Sequence, residues 1–182
     1  MNPGRTVKIL LVAAALVVAL AAPARAQVSA LEVGTSLMSL MIHTNDSTTT
    51  TFGLPSGGFG IVNPGLYLSL FMGPRIAIEP QIGLIVASGG GHSTHILNLA
   101  GQVDYFLKDS GVSSPFVFGS VGLLSVSDGG GTPVSVSGGA GYRKLLGERL
   151  SVRFDGRFTH FTQGMGNSVS FSVSLGGIFN RQ

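Results

Sequence analysis

Of 182 residues only 10% are charged, 28 are glycine and none is cysteine. The missing thiol excludes disulfides, thiolate catalysis, cysteine-modified lipid anchors and cysteine metal sites. The formal charge of +3 does not point to nucleic acid: three of the 11 basic residues, Arg5, Lys8 and Arg25, stand in a leader expected to be removed, which leaves eight basic residues against eight acidic ones.

That leader is Met1 to Ala26, read as a secretory signal peptide for Sec-type export. Arg5 and Lys8 make its positive n-region and Ile9 to Ala22 its apolar run. Ala24-Arg25-Ala26 gives a small-x-small cleavage site before Gln27. The apolar run is short for a membrane-spanning helix and ends at Pro23. Residues 27–182 are therefore expected to be a single exported domain, rich in glycine, serine and β-branched residues, a composition that favours strands and tight turns.

In chain order, Leu31, Val33 and Leu37 alternate with Glu32, Gly34 and Ser36 in a first strand. His43 to Phe52 reads as a polar, threonine-rich loop, and glycine and proline continue to Pro64. Gly65 to Phe71 is a second strand, turned by Met72-Gly73-Pro74-Arg75. Ile76 to Ala87 is a third, blemished by Pro80, which forfeits a ladder hydrogen bond. After Gly89-Gly90-Gly91, Thr94 to Phe106 is a fourth strand. Pro115 to Ser127 is a fifth, with no readable inward face. Pro133 to Arg143, Leu150 to Phe161 and Ser168 to Phe179 complete eight.

The last of these decides the architecture. From Ser168 to Leu175 every even position is serine and every odd one apolar. On a strand this gives one apolar wall and one hydroxyl wall. A soluble sheet would turn the serines to water, whereas a membrane barrel would turn them inward. Turn centres recur about every 17 to 20 residues, the spacing of membrane-crossing strands of about 9 to 11 residues plus a connection. Sandwich strands are shorter. The expected fold class is all-β: an eight-stranded antiparallel up-and-down transmembrane β-barrel. Phe71, Tyr105, Phe106, Tyr142 and Phe179 fall at the same kind of strand end, as an interfacial aromatic girdle would.

Gly139-Ala140-Gly141-Tyr142-Arg143, a tight turn and then Leu150-Ser151-Val152-Arg153-Phe154-Asp155-Gly156-Arg157-Phe158-Thr159 resemble the penultimate hairpin of small outer-membrane β-barrel proteins, the broad family that includes the OmpA-type transmembrane domain. The resemblance implies an eight-stranded barrel in a Gram-negative outer membrane. Its implied partners are outer-membrane lipid, lipopolysaccharide and the barrel-assembly machinery. The family's last strand usually ends on a final aromatic, whereas Phe179 here is followed by Asn180-Arg181-Gln182.

Glu32, Glu79, Asp104, Asp155, Arg143, Arg153 and Arg157 all occupy the polar faces of their strands. Inside a narrow barrel such charges need partners, so a lumenal ion-pair network is expected. His160 and Thr162 resemble the histidine-x-serine stretch of the outer-membrane lipid A deacylases, in which the histidine is the base and the serine the nucleophile. Here threonine replaces the serine, and the next strand offers no carboxylate to orient the base. His92 and His95 form a two-residue candidate for metal, short of the usual ligand number. No cofactor is expected, and the glycine-rich loops lack the helix and lysine of a phosphate cradle.

The sequence thus favours an integral outer-membrane protein with a structural, adhesive or small-ligand-binding role and no general porin activity. A lipid A-modifying hydrolase is the enzymatic alternative, and a soluble secreted lipocalin-like carrier is the third reading.

Overall fold

The computed structural model describes residues 29–44, 48–53, 65–89, 92–110, 112–126 and 132–179, with the backbone alone at 49–53, 84–89, 92–96 and 126. The expected signal peptide, 1–26, lies outside them. The described residues form nine strands: β1 (Ala30–Thr44), β2 (Thr48–Gly53), β3 (Leu66–Phe71), β4 (Ile76–Gly89), β5 (His92–Phe106), β6 (Ser114–Val126), β7 (Val134–Leu145), β8 (Leu150–Phe161) and β9 (Asn167–Phe179). Sequence neighbours pair antiparallel from β3 to β9, and β9 returns to β1 in a ladder running from Leu31 opposite Phe179 to Thr44 opposite Asn167. The sheet closes on itself, which removes the exposed edges an open sheet would carry.

Nine strands make eight staves, because β2 and β3 share one edge of β1. Ala30 to Thr35 pair with β3, and Ser39 to Thr44 pair with β2. The chain thus climbs β1 and descends along β2, and β3 continues the same stave. Thr48 to Thr51 belong to this stave, not to a loop as their polarity suggests. β-branched threonine suits a pleated surface, and β1 offers it a ladder.

The barrel is inside-out relative to a soluble fold. On β9, Ser168, Ser170, Ser172 and Ser174 are buried, while Val169, Phe171 and Phe179 are exposed. Val103, Val117, Val121, Val136, Phe154 and Phe158 are also exposed, on the outer faces of β5 to β8. β1 keeps this phase only as far as Ser36. A register shift between Ser36 and Met38 inserts an extra residue, so Leu37 and Met38 both face outward and Met41 turns in. On β4, Pro80 faces outward, and the β3–β4 ladder runs through Tyr67–Gln81 and resumes at Leu70–Ile78, skipping the stretch where proline has no N–H to give.

Two further sequence expectations change. β6 acquires a phase: Phe116, Phe118 and Leu124 point inward, Val117 and Val121 outward. The five aromatics at one strand end divide between two faces. Tyr105, Tyr142 and Phe179 are exposed on the outer surface, whereas Phe71 and Phe106 are buried in the lumen with Phe116 and Phe118. Successive residues on a strand point opposite ways, so Tyr105 and Phe106 never share a face.

The turns at the end holding Ser29 and Phe179 are tight. Gly73 and Gly147 adopt φ of 89° and 86°, a region that penalises side chains bearing a Cβ. These turns are also tied to one another: Ser110 N donates to Pro74 O at 2.6 Å, and Leu145 N donates to Ser113 Oγ at 3.1 Å.

Candidate functional site

The inward faces converge on a column of three arginines stacked against a column of aromatics. Lowest is Arg143 on β7, whose Nε and Nη2 donate to Glu32 Oε2 at 2.8 and 2.5 Å. The other carboxylate oxygen of Glu32 accepts from Tyr67 OH at 3.1 Å and Ser151 Oγ at 2.8 Å. Arg143 also reaches down to Ser110 O, at 2.6 Å, and its guanidinium lies 5.0 Å from the Phe71 ring centroid. Glu32 is fully buried, so this complete set of donors is what allows its charge to remain there.

Above it, Arg153 on β8 holds two carboxylates. Nη1 donates to Glu79 and Nη2 to Asp104, the latter at 2.9 Å. Ser69 Oγ also donates to Glu79, and Gln81 Nε2 donates to its other oxygen at 2.6 Å. Gln102 Nε2 donates to Asp104 at 2.6 Å. The guanidinium lies between Tyr67 and Phe116, 5.0 and 4.7 Å from their centroids. Charge-assisted hydrogen bonds and cation–π contacts both strengthen where water is excluded.

Highest is Arg157, which donates to Gln102 Oε1 at 2.6 Å and Ser120 Oγ at 3.3 Å and stacks 4.7 Å from Phe118. Asp155, on the same strand, accepts from Ser172 Oγ at 2.6 Å. The aromatic column is continuous, with centroid separations of 5.7, 5.5 and 6.0 Å from Phe71 through Phe106 and Phe116 to Phe118. Glycine on β7 makes room for it. A Cβ on Gly141 would stand 2.5 Å from both the Phe116 ring and the Phe154 carbonyl oxygen.

All seven charged positions singled out in the sequence therefore enter one lumen. Tyr67, Ser69 and Ser151, which were not singled out, complete the carboxylate shells. Each sits on the inward parity of its strand, the signal that would have found them. Between the middle and upper arginines is a cavity of about 20 Å³ lined by Glu79, Gln81, Arg153, Asp155, Arg157 and Ser172 among others. It is large enough for a single water. Gln81 Oε1 and Arg157 Nε, from two of the residues lining it, have no protein partner among the described residues.

The other candidates lie elsewhere. His160 is exposed near the opposite rim, and its Nδ1 is 2.8 Å from Oδ1 of Asn167, its cross-strand neighbour on β9. Thr162 does not face it as a free hydroxyl: its Oγ1 accepts the Val134 N–H at 2.9 Å. His92 and His95 stand in β5 where their side chains lie outside the described residues. Among the described residues no three histidine, aspartate or glutamate side chains are grouped to hold a metal.

A lumen so filled is expected to carry no steady ion current. Eight strands leave an interior just wide enough for side chains, and here the three arginines occupy it. In planar bilayers the protein should show at most brief openings, and Arg153→Ala should lengthen them. A stable channel of uniform conductance from the wild type would show that the column does not close the barrel.

No protein-family model matches the sequence, and no curated protein sequence matches it. Comparison of folds is informative. The chain is similar to Neisserial surface protein A (NspA), with TM-score 0.54 and 10% identity over 82% of this chain and 96% of that one. The N-terminal β-barrel domain of Pseudomonas aeruginosa OprF gives 0.52 and 12% identity over 83% and 98%. Ail, the attachment invasion locus protein of Yersinia pestis, gives 0.51 and 8% over 83% and 99%. With its closed ladder, outward apolar face and eight staves, the chain has the fold of the small outer-membrane β-barrels.

Proposed function

We propose that this protein is an integral outer-membrane barrel with a structural or adhesive role, and neither a pore nor a carrier. The observation that carries this reading is the pairing of an exposed apolar wall with a lumen closed by buried ion pairs. A soluble barrel with Phe154, Phe158 and Phe171 in water would aggregate. A lipocalin-like carrier would need an apolar interior with room for its ligand, whereas the described lumen is occupied by Arg143, Arg153 and Arg157 with their buried partners. Ail is by name an attachment and invasion protein, which agrees with adhesion as one form of the role. The geometry favours this reading over lipid A deacylation, because the Thr162 hydroxyl is engaged by backbone and His160 is oriented by an amide.

The test uses the absence of cysteine. After export the protein should begin at Gln27, resist carbonate extraction and migrate faster on gels before boiling than after. Single-cysteine variants should then report its orientation. Gln163→Cys, in the β8–β9 turn, should react with an impermeant maleimide on whole cells. Glu148→Cys, in the β7–β8 turn, should react only after the outer membrane is opened, since the longest connection, from Thr44 of β1 to Leu66 of β3, starts at the other rim and long connections face outward. Recovery in the soluble fraction would overturn the proposal.

A further inference from the structure

We propose that the rim carrying Ser29 and Phe179 is a seat for anionic phospholipid headgroups, which orients the barrel in its membrane. The inference rests on the membrane reading above and adds a lipid partner to it. Each of the three described turns at this end presents basic residues: Arg75 between β3 and β4, Lys108 between β5 and β6, and Lys144 with Arg149 around the β7–β8 turn. All four are exposed, against the two acidic residues Asp109 and Glu148. Arg75 and Asp109 form a solvent-exposed ion pair at 3.9 Å, weak at such exposure, so the four cations outnumber the two acidic residues by two.

Among the described residues the opposite end has none of this. The β8–β9 turn from Thr162 to Gly166 is uncharged, and the stretches 45–47, 54–64, 90–91 and 127–131 contain no lysine or arginine. Charge serving solubility alone would be useful at both water-facing ends. Its confinement to one end calls for an anionic partner there.

Two further observations identify that partner as a bilayer surface. The outward aromatics Tyr105, Tyr142 and Phe179 lie in the same layer, with Lys144 next but one to Tyr142 on the same face of β7. Aromatic rings with flanking basic chains are the side-chain set of a membrane interface, where rings lie at headgroup level and ammonium groups reach the phosphates. The turns are also held in place. Arg143 Nη1 donates to Ser110 O at 2.6 Å, and Ser110 N donates to Pro74 O at 2.6 Å, which joins the Arg75 and Lys108 turns to the lumenal column. The cations are thus displayed from a fixed platform. The longest connection, which leaves β1 at Thr44 and returns at Leu66 of β3, starts from the opposite rim, and long connections face outward, so this reading seats the basic rim in the periplasmic leaflet, where the anionic component is phospholipid.

The test is native mass spectrometry of the full protein released from nanodiscs of equal phosphatidylglycerol and phosphatidylcholine. Retained lipid should be enriched in phosphatidylglycerol, by up to about fivefold per engaged cation at low ionic strength, and the enrichment should decline with salt. The variant with Arg75, Lys108, Lys144 and Arg149 all changed to glutamine should retain the two lipids in their bulk ratio. The double variant K144Q/R149Q, which alters one turn, should lose part of the enrichment and serves if the quadruple variant does not fold. Equal retention by the wild type, or undiminished enrichment in folded variants, would overturn the proposal. So would a preference for lipid A over phosphatidylglycerol that depends on the same four residues, because that would seat this rim in the other leaflet. Failure of the wild type to enter nanodiscs at all would instead count against the membrane reading itself.

Discussion

Replacing Arg153 by methionine is expected to cost the barrel about 3 to 5 kcal/mol, the usual penalty for leaving a buried charge without its partner. The side chain is 4% exposed, and it neutralises two carboxylates, Glu79 and Asp104, that are themselves buried. Methionine keeps much of the volume and the contact with Tyr67 and Phe116, so the loss would come from charge and not from a void. Without the guanidinium, Glu79 and Asp104 keep their serine and glutamine donors, Ser69, Gln81 and Gln102, but no opposite charge. Urea titration in lipid vesicles, followed by gel mobility without boiling, measures the effect as a fall in midpoint. Adding Glu79→Gln and Asp104→Asn to Arg153→Met should recover a large part of it, since a neutral, hydrogen-bonded lumen strands no charge. Ser172→Ala, which removes one donor from Asp155, should cost about 0.5 to 1.5 kcal/mol. Equal midpoints for Arg153→Met and wild type would show that the ion pairs do not carry the lumen.

How much of this was readable beforehand depended on whether a strand's own residues encode its face. β9 states its phase outright, serine against apolar; β4 and β5 mark theirs with one charge each, Glu79 and Asp104, and a glutamine two residues away, and β8 with Arg153, Asp155 and Arg157 at every second position. The regular turn spacing then selects the inverted, membrane-type reading of that alternation. β6 encodes no such preference, because Phe116 and Phe118 inside are as apolar as Val117 and Val121 outside. Its phase is set by partners on other strands. Arg153 and Arg157 offer their guanidinium faces to the two rings, and Gly141 and Gly139 stand directly across the ladder and leave room for them. That information is spread over three strands and is invisible in any one of them. The aromatic girdle holds for three of its five residues, and the reason is simpler. Position along a strand does not fix the face, so lumenal Phe71 and Phe106 stand at the same level as outward Tyr105, Tyr142 and Phe179. At the candidate site, the charged residues were legible as exceptions to apolar surroundings. Their hydroxyl donors were not, because serine and tyrosine on a polar face look unremarkable until a carboxylate is placed opposite. In β2 threonine's polarity suggests a loop, while its branched Cβ suits the strand that it forms against β1.

The outer wall gives the second large effect. Phe171 is 56% exposed on the face of β9 away from the lumen, with its ring over Gly156 of β8. Val173, two residues further on, is at the centre of the 13-residue strand and has the same outward parity. In a bilayer these positions lie in the hydrocarbon near its middle, where water is absent and an arginine has no counter-charge on the surrounding wall. Phe171→Arg and Val173→Arg should therefore each cost about 2 to 4 kcal/mol, and a similar change near either rim much less. Val169→Arg, close to the β8–β9 turn, is the rim comparison, since its side chain can extend to the headgroups. Ser172→Arg behaves differently because it points inward. A large side chain there must enter a cavity of about 20 Å³ beside Asp155, Arg153 and Arg157, so overpacking and like charge, and not lipid, would limit it. The depth dependence separates the two explanations: urea midpoints should fall in the order Val169→Arg, then Phe171→Arg and Val173→Arg together, while an equal loss at all three would mean that the wall does not face a bilayer.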